Sequence, residues 1–146
     1  MNMNARKGKQ VLRQVWHTNA VIDSLYDQIA QCRAMGTKVT ASCSGTPGGS
    51  SGTGSRVEAS ALSLVELESK LDREIDTLSH LKIRCAESIG ELTDMRERGI
   101  LELRYMCHPR RSWASIMTRL EISERRSYQL HESALAHFWL IYQSKK

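Results

Sequence analysis

The chain has 146 residues but only one Phe, three Trp, four Tyr and two Pro. So few aromatics leave little with which to fill a large globular core. No stretch approaches the roughly 18 to 20 unbroken apolar residues of a membrane span. The polar opening MNMNARKGKQ is followed by no apolar h-region, so no secretory signal is expected. The four cysteines, Cys32, Cys43, Cys85 and Cys107, include no C-x-x-C pair. Reduced thiols in a cytoplasmic protein are the expectation. Cys107, His108, His131 and His137 fit no usual zinc spacing. A G-x-x-x-x-G-K-[ST] phosphate loop is missing as well. No acidic pair or Ser–His arrangement is spaced to assemble a catalytic centre. A non-enzyme is therefore expected, with no catalytic residue, no metal and no cofactor.

The charge that is present is unevenly placed. Residues 1–40 carry six Lys/Arg and two Asp, residues 41–93 five basic and eight acidic side chains, and residues 94–146 ten basic and six acidic. Basic ends around an acidic middle suit a polyanion-binding protein with a helical spacer, although solvated helix faces would give the same balance.

Hydrophobic periodicity predicts an all-α chain. Leu12, Val15, Ile22, Tyr26 and Ile29 follow three-four spacing, with Asn19 in a polar slot of the same seam, so residues 1–35 read as an N-terminal helix stopped by Gly36. Residues 36–56, GTKVTASCSGTPGGSSGTGSR, are mostly Gly, Ser and Thr. They read as a flexible loop, because they bury too little apolar surface to offset ordering entropy. Residues 57–92 read as a long coiled-coil-like helix through Leu64, Leu71, Ile75, Leu78, Cys85, Ile89 and Leu92, with Lys82 in one seam position. The two helices suggest an antiparallel hairpin, or a seam shared with another subunit. The first is too short to cover the second, so self-association is expected.

Residues 93–146 carry the informative pattern. MRERGILELRYM makes a helix with Ile100, Leu101, Leu103 and Tyr105 on its apolar face, and Pro109 breaks it. Ser112 then caps a short helix over 113–120, Glu121–Ile122–Ser123 forms a turn, and Ser123 caps a last helix to about residue 142. Helix, tight turn, helix is the arrangement that lays a second helix in the DNA major groove. Ser127, Leu130, Ala134 and Phe138 repeat at three and four and must face the core, with Trp113 expected against Leu130 and Ala134. Glu124, Arg125, Tyr128, Gln129 and Glu132 then project outward. Arg and Gln offer bidentate donors to guanine and adenine edges, and Glu accepts from cytosine. Arg126, with Arg110, Arg111, Ser112 and Arg119 around the preceding helix start, suits phosphates. An ordinary three-helix core with a charged outer face fits the pattern equally well.

LELRYMCHPRRSWASIMTRLEISERRSYQLHESAL resembles domain 4 of bacterial sigma factors. The likeness rests on Leu103, Arg104, Tyr105, Trp113, Ile116, Leu120, Ile122, Ser123, Arg126, Gln129, Leu130, Ala134 and Leu135. Ser127 departs from it, since the sigma pattern usually has a branched apolar residue there. The whole layout resembles small phage-encoded late-transcription regulators of the RinA/ArpU-like and sigma-like positive-control type. This resemblance implies a cytoplasmic protein of a bacterial host that binds double-stranded DNA upstream of a late operon and activates its transcription with host RNA polymerase. A DNA-packaging recognition subunit such as a phage small terminase is the alternative. A coiled-coil adaptor that binds no DNA is a third. With one sigma-like module and no promoter-melting domain, a complete sigma factor is not expected.

Overall fold

The computed structural model describes residues 1–42 and 52–145, and side chains within 1–37 and 57–145. The described residues form helices joined by turns, without strand: α1 Met3–Ser42, α2 Gly52–Gly90, α3 Met95–Leu101, α4 Trp113–Leu120 and α5 Glu124–Ser144, with a π-helical turn Glu102–Met106 after α3. The chain divides into two compact units, one of residues 1–19 with 77–146 and one of residues 20–76.

The expected break at Gly36 does not occur: α1 continues to Ser42, and α2 begins at Gly52 rather than near Val57. A Cβ at Gly36 would meet nothing within 4 Å, so the glycine sits in an ordinary helical turn. Its conformational freedom permits a helix end without forcing one. The rest of the expected loop, residues 43–51, lies outside the described residues.

In the unit of residues 20–76, α1 and α2 pair antiparallel. Ile22, Leu25, Ile29 and Leu71 are buried, Cys32 Sγ lies 3.5 Å from the Ser60 carbonyl oxygen, and Arg33 pairs with Glu68 at 2.8 Å. One expected seam position is corrected. Leu25 is buried at 2 % exposure, whereas Tyr26 is 54 % exposed. Leu25 is the all-carbon side chain of the two, so it fills the interface while the Tyr26 hydroxyl keeps its water.

The helix-turn-helix does not form a compact unit by itself. Its core joins Ala5, Leu12 and Val15 of α1 with Cys85, Ile89 and Leu92 from and just after α2. Ile100, Leu101, Tyr105, Ile116 and the inner face of α5 complete it. Gly8 permits the α1–α5 approach, because a Cβ there would strike the Leu135 carbonyl oxygen. Buried Glu97 ties α3 to α5 by accepting from Ser133 Oγ and meeting His137 Nδ1 at 2.8 Å. Burial pushes the Cys85 thiol up to about 11, only partly offset by Arg84, so it packs as a neutral group.

Candidate nucleic-acid interface

Local chemistry sets the start of α5. Asp94 caps α3 through Arg96 N–H at 2.8 Å, and Ser112 caps α4 through Ser115 N–H at 3.2 Å. Glu121 ends α4 in the left-handed region (φ 52°, ψ 44°), its N–H donating to the Met117 carbonyl. The Ile122 N–H reaches the same oxygen at 3.1 Å. Ser123 then caps α5 by accepting from Arg126 N–H at 3.4 Å. These short polar bonds satisfy backbone groups at both sides of a three-residue turn, so the turn stays tight.

The inner face of α5 is Ser127, Leu130, His131, Ala134, Leu135, Phe138 and Tyr142, all buried. Ser127, the departure from the sigma pattern, donates its hydroxyl to the Glu124 carbonyl at 2.7 Å. The helix thus satisfies the hydroxyl internally, and burial leaves no orphan donor. On the other side Glu124, Arg125, Arg126 and Gln129 are exposed, and Tyr128 is half exposed. Arg125 and Gln129 stand one turn apart near the centre of the outward face. Arg119 is exposed on α4, with Arg110 and Ser112 exposed before and at its cap.

Three of the expected side chains have particular surroundings. Glu132 is only partly exposed, and its Oε1 accepts from the Asn2 N–H at 2.8 Å, which holds its carboxyl below the ordinary glutamate value. It therefore braces the start of α1. Arg111 is half-buried, and its backbone carbonyl accepts from Arg104 Nη1 at 2.8 Å, which ties down the loop before α4. Trp113 is half-buried and lies on His131 (5.0 Å, edge-on) and Tyr128 (5.4 Å). Ile116, one turn further along α4, is the fully buried residue. Trp113 starts the helix and stays partly exposed.

Sequence reasoning missed the ring assembly behind α5. Trp16 stacks on Tyr105 (4.6 Å, 17°), and Tyr105 stacks on His131 (5.8 Å, 13°). Trp16 Nε1 donates to the Arg104 carbonyl at 3.1 Å, and the Tyr105 hydroxyl lies 2.9 Å from His131 Nε2. Burial first, then Lys9 and Arg104, pushes the His131 imidazole down to about 4. Burial first pushes the Tyr105 phenol up to about 12. Both rings are therefore neutral near pH 7, and the hydroxyl can donate to the imidazole. Lys9, Arg13 and Trp16, spaced four and three apart on α1, were the available signal.

No protein-family model, curated protein or solved structure matches the chain.

Proposed function

We propose that the chain is a sequence-specific, double-stranded-DNA-binding transcription regulator that reads the major groove with the N-terminal half of α5. The observation that carries this reading is the division of α5. One face is fully used in the core, while Arg125 and Gln129 stand exposed on the other, behind a turn capped at Ser123. Arg and Gln are the side chains whose paired donors distinguish guanine and adenine edges. Glu124 and Tyr128 flank them, and Arg110, Arg119 and Arg126 border the same surface for phosphate contact.

The narrower form of the proposal, a phage or prophage activator of late genes working with host RNA polymerase, rests on the sigma-like residues in 103–135. In that form the pairing of α1 with α2 over residues 20–76 acts as a coiled-coil module, and a second copy covers the exposed Val57, Leu62 and Val65. Genome-wide footprinting in the host supplies the operator. Protection upstream of a promoter supports activation, and protection at a packaging site replaces it with a packaging role.

On the footprinted site, Arg125→Ala or Gln129→Ala should cost about 1 to 3 kcal/mol, with little loss on a scrambled duplex. Equal losses on both duplexes would remove base reading from α5.

A further inference from the structure

A groove of about 470 Å³ opens beside α5, and four of its wall residues are cations from three separate segments: Lys9 and Arg13 of α1, Arg104 of the π-helical turn and Arg110 before α4. The aromatic walls are Trp16, Tyr105, Trp113 and Tyr128. The Arg110 guanidinium lies 4.4 Å from the Trp16 ring centroid. That of Arg104 lies 5.1 Å from Trp16 and 4.7 Å from Trp113. The rings hold the two guanidinium groups in place; Arg104 spends Nη1 on the Arg111 carbonyl, which leaves its other donors and those of Arg110 for an acceptor.

These charges are uncompensated. None of the four cations forms a salt bridge among the described residues. The one carboxylate in the lining, Glu132, is engaged by the Asn2 N–H and by the Met1 ammonium at 3.4 Å. Burial and then the neighbouring Arg110 lower the pKa of Arg104, the direction expected of like charges held together. Arg6 and Gln10 carry the polar lining further along α1. A structural ion-pair network would have interleaved acids here. A cationic, aromatic-walled groove whose single carboxylate is engaged elsewhere is built to receive an anion.

We infer that Lys9, Arg13, Arg104 and Arg110, with Trp16 as their platform, form a phosphate-binding groove for a nucleotide phosphate, which adds α1 to the nucleic-acid surface. In its main form the phosphate belongs to the DNA backbone and the inference rests on the DNA-binding reading. A free nucleotide offers the same chemistry, with its base against Trp113 or Tyr128.

The test uses the full chain carrying Lys9→Gln and Arg13→Gln together, both outside the α4–α5 motif, with Lys9→Arg and Arg13→Lys as the charge-preserving pair. Arg104 is left intact because it also holds the Arg111 carbonyl. Each protein is titrated with salt on the footprinted and scrambled duplexes, and with adenosine 5′-monophosphate followed by Trp fluorescence. If the source is DNA, the Gln pair lowers the slope of log affinity against log salt by about two units on both duplexes, and the charge-preserving pair restores it. If the source is a free nucleotide, saturable monophosphate binding is lost in the Gln pair while the duplex slope is unchanged. A wild-type chain that binds the monophosphate but no duplex keeps the groove and removes the DNA reading. Unchanged slopes, with no monophosphate binding by the wild type, overturn the groove and leave the DNA reading standing.

Discussion

The two compact units are built from the same two long helices yet bury their side chains very differently. In the unit of residues 1–19 and 77–146, α1 and α2 meet three further helices, and Leu12, Val15, Cys85, Ile89, Ile100, Leu101, Ile116, Leu135 and Phe138 are fully shielded. In the unit of residues 20–76 the described packing is that of α1 against α2. Ile22, Ile29 and Leu71 keep residual exposure there, and Val57, Leu62 and Val65 are exposed. Two helices share one line of contact, so each leaves most of its circumference in water. A third and fourth layer turn that line into a volume. The lesson is that heptad-like spacing marks where a helix prefers to pack, while the number of neighbours decides how much is buried.

The largest expected effect tests that contrast directly. Phe138→Ala should destabilise its unit by about 3 to 5 kcal/mol, and Leu71→Ala should fall nearer 2 kcal/mol because its site is already partly open. Amide hydrogen exchange read separately over the two units is the measurement, with slower exchange expected around α5 than over residues 20–76. Equal losses, or equal protection, would break the comparison.

A second expectation sharpens it through pH. His131 is buried as the neutral imidazole, with its pKa depressed to about 4 against an ordinary 6.5. The unfolded chain therefore binds this proton first as the pH falls. The stabilising contribution is complete above about 6.5 and is lost progressively as the pH drops towards 4, amounting to about 3 kcal/mol. Wild-type denaturation midpoints should decline across that window more steeply than those of His131→Gln. Parallel pH profiles would show that the neutral ring is not what stabilises the Tyr105–Trp113 side of the core.

The smallest effects come from two glycines on one helix, and they should have opposite signs. Gly8→Ala places a methyl against the Leu135 backbone and should cost about 1 to 3 kcal/mol. Gly36 has open space at its Cβ position, so Gly36→Ala should stabilise α1 by about 0.5 to 1 kcal/mol. Thermal melts of the two variants read both signs. Two losses would mean that α1 is as closely packed at residue 36 as at residue 8.

Much of this was legible because the signals were local. Ser112 and Ser123 cap the helices they precede, Trp113–Leu120 is the short helix expected there, and Ser127, Leu130, Ala134 and Phe138 face inward. Each of these depends on residues within one or two turns. The end of α1 was misjudged at Gly36 because composition reports backbone freedom, whereas a glycine in an ordinary helical turn need not end a helix.

The sequence by itself determined the helices, their caps, the tight turn at Glu121–Ser123 and the outward set of Arg125 and Gln129, because these follow from backbone hydrogen bonding and a 3.6-residue period. Tertiary structure alone decided that α1 belongs to the core of the helix-turn-helix, that Glu132 and Arg111 are engaged within the chain, and that Trp16, Tyr105 and His131 form one stack. Those contacts join residues from 7 to more than 100 positions apart. Periodicity fixes a side chain's angle around its own helix, but only packing selects which other helix that angle meets.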